Sequence, residues 1–322
     1  MANIKQVAVR AGLSPSCVSK YLKNKSSVRD DTRQKIETAI TELHYMPSSI
    51  ARSLRTNKTY TIKILTPSIT NPFFANMFEL LLNSFKKAGY RAVLQIIDPA
   101  QPFAPTDFSW VDGVVLCFSN DDQTVDTLLK ILNKLGKPLI CIHWHGTEAQ
   151  GTVVFDLKEG SKQVALHLLQ QGCSSISFVD GPENSLVVQA RYSGFCEVVS
   201  PGRRLHVEYG DFSLEWGFEA VSKMIATGNL PEGVICGNDV IAAGVIKRLQ
   251  AEKIIVPRDI AVAGFDDIPL ASMYSPSISS LAIPLNEMTS SATLMLVQAM
   301  EGKIVDNTYF TGILMQREST AR

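Results

Sequence analysis

Residues 3–22, NIKQVAVRAGLSPSCVSKYL, decide how the chain is read. Asn3 is a favoured N-cap residue type, and Ile4, Val7, Ala8 and Ala11 follow it at the spacing of one helical face. Gly12 permits a tight turn, and Leu13 is the apolar residue that plugs it. Ser14 then caps, and Pro15 opens, a second helix running to about Leu22. Val18 and Leu22 face inward; Ser16, Ser19 and Lys20 face out. An outer face that is small, polar and basic suits a helix entering the major groove. A third helix, about Asp31–His44, carries Ile36, Ala39, Ile40 and Leu43 on one stripe and closes a small core. A three-helix packing unit without nucleic acid is the competing reading, and charge weighs against it. Residues 1–58 hold eleven Lys/Arg against four acids, net +7, whereas the remainder holds 20 against 27, net −7. A cationic module on an acidic body points to a polyanion met by the first module alone.

The next segment, MPSSIARSLRTNK (46–58), mixes Ile50 and Leu54 with Arg52 and Arg55. Pro47 ends the preceding helix, and Ser48 or Ser49 can cap a new one of about two turns, too short to be stable alone in water. A helix formed only on DNA accounts for the mixture, with Leu54 as a minor-groove wedge between basic phosphate contacts.

From Thr59 the pattern becomes apolar strands of five to eight residues alternating with amphipathic helices, from YTIKILTP through IAVAGFDD. That alternation predicts two doubly wound parallel-sheet units. Ligands bind such sheets beyond the carboxyl ends of the strands. The polar and aromatic residues there are Asn71, Phe73, Phe74, Ser119, His143, Trp144, Asp156, Asn238, Asp239, Asp266 and Asp267, joined by Arg191 and Phe212. Paired carboxylates and amides, an Arg fork and flat aromatics suit a hydroxyl-rich ring such as a sugar. Asp156 and Asn238 precede helices and can equally serve as caps.

Other classes find little support. The 322 residues contain no run of eighteen apolar residues, and the N-terminal MANIKQVAVRAG carries no secretory pattern. The six cysteines stand singly, as buried fillers do in a reducing compartment, so a cytoplasmic protein is expected. No G-x-G-x-x-G opening a helix, Walker loop, G-x-S-x-G or H-E-x-x-H is present, so neither an enzyme nor a cofactor is expected. His143 and His145 share a strand face, but no third ligand lies nearby, so no metal site is expected.

Residues 3–58 resemble the headpiece and hinge of the lac repressor (LacI/GalR) family, through IKQVAVRAGLSPSCVSKYL, VRDDTRQKIETAITELHYMP and SSIARSLR. Residues 60–318 resemble its periplasmic-binding-protein-like core, through TPSITNPFF, VDGVVL, ARYSGF, ICGNDVIAAGVI and VAGFDDIPLA. The resemblance implies an α/β chain with a three-helix helix-turn-helix headpiece (1–46), a hinge (47–58) and an effector-binding and dimerisation core (59–322). The core would comprise an N-subdomain (about 60–155 and 286–308) and a C-subdomain (about 156–282 and 309–319). It implies a transcriptional regulator, most often a repressor, acting as a homodimer on a roughly palindromic double-stranded operator. DNA contacts would come from Asn3, Ser14, Pro15, Ser16, Ser19, Lys20, Lys23, Thr32, Tyr45, Ser48, Ala51, Arg52, Leu54 and Arg55. Arg191, Phe212, Asn238 and Asp266 would contact a small-molecule effector.

Several positions depart from the family pattern. Cys17 replaces a common Thr, and Lys23 a frequent Asn. Arg29 stands where a capping Ser is usual, so that cap is expected at Asp30. Pro15 and Ser16 occupy the base-reading positions with little to donate, which implies an operator unlike those of better-known relatives. His143 replaces an Asp and Ile283 a Gln, which shifts the expected effector from a simple monosaccharide toward a glycoside, a larger sugar or a non-sugar, with Trp144 stacking. A purine or nucleoside acting as corepressor is the alternative, and a sugar carrier of the periplasmic type shares the same core. Pro99, Pro102 and Pro105 forbid the helix expected between the strands near 96 and 113, so an extended crossover is predicted there. No leucine heptad precedes Arg322, which makes a dimer the default.

Overall fold

The computed structural model describes residues 2–23, 25–45, 58–98, 100–117, 122–142 and 149–322, with the backbone alone for Lys23 and residues 122–125. The chain divides into two compact units, 1–59 and 60–322.

The first unit is three helices: α1 (Ile4–Ala11), α2 (Pro15–Lys23) and α3 (Asp30–Glu42). Asn3 caps α1 in a reciprocal box: its side chain accepts from the Lys5 and Gln6 N–H groups, and the Gln6 side chain accepts from Asn3 N–H. Gly12 ends the helix in the left-handed conformation, φ 65°, which costs glycine nothing. Val7, Ala8, Val18, Tyr21, Ile36 and Ala39 form the buried core. One expectation is refined and one corrected. Leu22 packs against this core but stays half-buried, and Tyr21, which the helical spacing did not place inward, is the more deeply buried residue of α2. The aromatic body fills the core while its hydroxyl donates to Glu37 Oε1 on α3 at 2.7 Å, a pairing Leu cannot make. Asp30 does not cap α3; it is the first helical residue, Arg29 holds the cap position without a side-chain bond, and Asp30 and Asp31 instead face the helix dipole.

The second unit holds two six-stranded sheets. The first contains β1 (Thr61–Thr66), β2 (Arg91–Ile96), β3 (Gly113–Cys117), β4 (Leu139–Ile142), β5 (Gly151–Phe155) and a late strand, β11 (Thr308–Phe310). Its order is β2-β1-β3-β4-β5-β11, all parallel. Helices α4 (Pro72–Lys87) and α5 (Asp122–Leu135) connect it. The second sheet contains β6 (Ile176–Asp180), β7 (Arg204–Tyr209), β8 (Gly233–Cys236), β9 (Ala261–Asp266), β10 (Ser279–Ala282) and β12 (Ile313–Met315). Its order is β7-β6-β8-β9-β10-β12, with only β12 antiparallel. Helices α6 (Leu157–Gln170), α7 (Leu186–Val198), α8 (Leu214–Thr227), α9 (Asp239–Ala251) and the short α10 (Pro269–Met273) accompany this sheet. The chain then returns: α11 (Leu285–Met300) packs on the first sheet, and β12 closes the second. The inner strands β1, β3, β6 and β8 are buried on both faces, which is why they read as continuous apolar runs, whereas the edge strands β2, β7, β11 and β12 are partly exposed. Helices α8 and α11 and strands β10 to β12 were not singled out in the sequence pattern.

Between β2 and β3 the described chain makes a single 3-10 turn, Pro105–Asp107, instead of a helix. Phe108 and Val111 plug the outer face of the sheet against Leu128, Leu129 and Leu132 of α5. Lys63, on the buried strand β1, donates to the Asp107 carbonyl at 2.8 Å with its ammonium over the Phe108 ring, 4.7 Å from the centroid. Desolvation lowers the Lys63 pKa, and the nearby Asp107 carboxylate works against that.

Candidate functional site

In each sheet the order reverses beside the first strand, between β1 and β2 on one side and β3 on the other, and between β7, β6 and β8 likewise. Chain leaving the carboxyl ends of β1, β6 and β8 therefore turns away in opposite directions and opens a crevice. A cleft of about 480 Å³ lies there. After β1 come Ser68, Asn71, Phe73 and Phe74; Arg191 comes from α7, Phe212 from the segment after β7, Asn238 from the end of β8 and Asp266 from the end of β9. Leu157, Val187, Leu214, Val240 and Ile283 complete an apolar wall.

Local chemistry positions these groups. Asn71 caps α4, accepting from Phe73 N–H at 2.9 Å, with Pro72 in the first helical position. The rings of Phe73 and Phe74 meet edge to face, centroids 5.5 Å apart. Asn238 both caps and faces the cleft: its Oδ1 accepts from Ile241 N–H at 2.8 Å, and its side chain lines the cavity. Asp266 has φ 94°, a strained conformation for a non-glycine residue. Its neighbours hold it there, since Asp267 N–H donates to Ser280 Oγ at 3.0 Å and Ile268 N–H to Asp239 Oδ2 at 2.9 Å. Desolvation raises the Asp266 pKa to about 7; Arg191 opposes the rise and Asp180 adds to it.

Arg191 is the central group. Its Nε donates to Asp180 Oδ2 at 2.8 Å and its Nη2 to Oδ1 at 2.9 Å, a two-pronged pair buried in the protein. The guanidinium also lies over the Phe212 and Phe265 rings, at 5.9 and 5.6 Å. Burial disfavours its charge, but Asp180 more than restores it, so its pKa is raised.

Of the residues expected at an effector, Asn71, Phe73, Phe74, Arg191, Phe212, Asn238 and Asp266 come together in this cleft. Asp156 caps α6, accepting from Glu159 N–H at 2.9 Å; its neighbour Leu157 lines the cavity, but Asp156 itself does not. A carboxylate before a helix has that local job available whatever the tertiary structure. Ser119, His143 and Trp144 lie outside the described residues. Asp180, Asp211 and Glu215 were missed; Asp180 ends a strand, so the rule that found the others also covers it. Asp239 is fully buried rather than lining, with burial pushing its pKa up. Among the described residues no cluster of His, Cys, Asp or Glu could hold a metal, and no helix is long and apolar enough to cross a membrane.

In the first unit Ser14 Oγ accepts from Cys17 N–H at 3.2 Å and is 2.9 Å from Ser16 Oγ. Pro15, Ser16 and Lys20 are exposed along α2, while Ser19, Thr32 and Tyr45 are half-buried. Asn3 is exposed at the start of α1. Ser48, Ala51, Arg52, Leu54 and Arg55, and the side chain of Lys23, lie outside the described residues.

A helix-turn-helix unit joined to a two-sheet body with its cleft at the switch points defines a class of ligand-responsive DNA-binding proteins. Residues 3–48 match the lacI family of bacterial regulatory proteins, and residues 165–320 the periplasmic binding protein-like domain. The ribose operon repressor of Halalkalibacterium halodurans is 30% identical, over 99% of this chain and 97% of its own. The HTH-type transcriptional repressor PurR of Pectobacterium carotovorum is 29% identical, over 95% and 92%. In structure, a lac repressor dimer bound to operator and the anti-inducer ONPF superposes with a TM-score of 0.85 at 21% identity, covering 100% of this chain and 99% of that one. The chain belongs to the lacI family of bacterial regulatory proteins.

Proposed function

We propose that the protein is a transcriptional repressor whose grip on operator DNA is set by a small carbohydrate, a sugar or glycoside, held in the cleft between the two sheets. The observation that carries the effector class is the arrangement around Arg191, where a guanidinium, an amide, a carboxyl and aromatic rings converge on one cavity. These groups donate, accept and stack, as a polyhydroxyl ring requires. The similarity to a ribose operon repressor supports the same class.

The headpiece residues Ser16, Ser19 and Lys20 would face the major groove, and the hinge, with Leu54, the minor groove of an operator bound by a homodimer. Closure of the two lobes on the effector would change the interface near the hinge. A ligand shifts that balance only by its difference in affinity for the two states.

The test combines two measurements on the intact protein. A melting-temperature screen over sugars, glycosides and purines identifies binders, and fluorescence anisotropy on genomic fragments measures operator affinity with and without each one. A carbohydrate that raises the melting temperature and changes operator affinity, with both effects lost in Arg191→Ala while effector-free DNA binding persists, is the expected result. An effector response that survives Arg191→Ala removes the cleft from the account.

A further inference from the structure

Arg191 is the one cation among the described residues that line the cleft; Asp211, Glu215 and Asp266 line it too, with no lysine or histidine beside them. An arginine in a pocket is ordinarily an anion reader, because its planar fork matches carboxylate and phosphate. Here the fork is already engaged. The Asp180 side chain is fully buried, takes Nε and Nη2 of Arg191, and accepts a third bond from Gly181 N–H at 2.7 Å. The site is built to hold that carboxylate. An added Cβ on Gly237 would lie 1.8 Å from Asp180 Oδ1, so only glycine at the end of β8 leaves room for it.

We propose that Asp180 fixes the charge class of the effector: by neutralising Arg191 it turns an anion-binding arginine into a reader of uncharged hydroxyls, so the cleft takes a non-anionic carbohydrate and rejects sugar phosphates, sugar acids and nucleotides. This deepens the carbohydrate reading above and rests on it.

The charge balance around Arg191 favours this outcome. With the Asp266 carboxyl neutral, the trio of Arg191, Asp180 and Asp266 has no net charge; with it ionised, the trio is negative. The opposing influence is that of the helix N-termini at the cleft, which attract anions. Those of α4, α8 and α9 carry side-chain caps from Asn71, Ser213 and Asn238, and Glu215 and Asp239 add acids to the first turns of α8 and α9, whereas that of α7, with Val187 in the cleft wall, has no side-chain cap. Among the described lining residues, an incoming phosphate would find Arg191's three remaining N–H donors but no uncompensated positive charge. Asp180 is a positioning and specificity residue in this scheme, acting through Arg191.

Isothermal titration with sodium sulfate and with D-glucose 6-phosphate at constant ionic strength tests the idea without operator DNA or an identified effector. The wild-type protein is expected to give no saturable heat with either anion. Asp180→Asn combined with Asp266→Asn removes both counter-charges, leaves Arg191 unpaired, and should bind sulfate at least about tenfold more tightly than the wild-type detection limit. The double variant must retain the wild-type far-UV circular dichroism, and Arg191→Ala placed on it should abolish the gain. Saturable anion binding by the wild type that Arg191→Ala removes would overturn the proposal. So would a folded double variant that gains nothing. Should the double variant not fold, the wild-type titration against Arg191→Ala decides alone. Failure of the regulatory reading would show instead as absent operator binding, a separate measurement.

Discussion

Asp266 shows how a single residue couples the cleft to pH. Its pKa is raised from the ordinary 3.8 to about 7, first by desolvation. A carboxyl raised on folding stabilises fully below its unfolded value, and that contribution is lost as pH rises through the folded value. Between about pH 4 and pH 7 the Asp266 contribution therefore declines with pH. His167 runs the other way: burial lowers its pKa, so its contribution is lost as pH falls below about 6.5. The wild-type pH profile is a composite, and only a difference isolates one group. Asp266→Asn, whose amide cannot titrate, should flatten the decline, read as a smaller fall in urea midpoint from pH 5 to pH 7.5 than in the wild type. An unchanged fall would mean that Asp266 is already ionised at pH 5. The residue types at this site were legible in the sequence because they follow apolar strands. That Asp180 pairs with Arg191 was not, since the two lie on different elements and meet only when α7 packs beside β6.

At the scale of elements, the proline-interrupted crossover shows how sequence can exclude a helix yet not say what replaces it. Pro99, Pro102 and Pro105 rule the helix out by geometry. What then covers the sheet is Phe108, fully buried against Val114, Leu116 and α5. Phe108→Ala should lower the unfolding free energy by about 3–5 kcal/mol, the usual cost of emptying a large aromatic site. Trp110, 45% exposed with its ring 5.5 Å from the Lys63 ammonium, should cost below about 1 kcal/mol on the same change. Chemical denaturation of the two variants side by side checks this, and equal losses would deny Phe108 its role as the plug. The headpiece teaches a similar lesson. The Asn3 cap and the Gly12 turn were legible because they act within a few residues. The burial of Tyr21 beside Leu22 was not, because it depends on Glu37, sixteen positions away on α3.

For the whole molecule, the charge asymmetry between residues 1–58 and the rest makes a kinetic and thermodynamic prediction independent of any pocket. Operator affinity should fall linearly in a log–log plot against salt, with a slope of about −0.9 for each phosphate neutralised. Leu54→Ala should weaken specific operator binding by at least about tenfold while leaving non-specific binding and the salt slope near the wild-type values, since a wedge contributes no counterion release. Equal loss on specific and random duplexes would remove the wedge. The sequence by itself determined the class of the protein: a helix-turn-helix unit followed by two parallel-sheet units, with polar residues gathered at strand ends. Those features follow from periodicity, capping and turn chemistry, which act over a few residues. Only the tertiary structure decided which strand-end residues share a cleft, that Asp156 serves as a helix cap at its edge, and that Arg191 arrives with its charge already matched. Such facts depend on contacts between segments remote along the chain, where a carboxylate's partner is chosen by packing and desolvation and not by its neighbours in sequence.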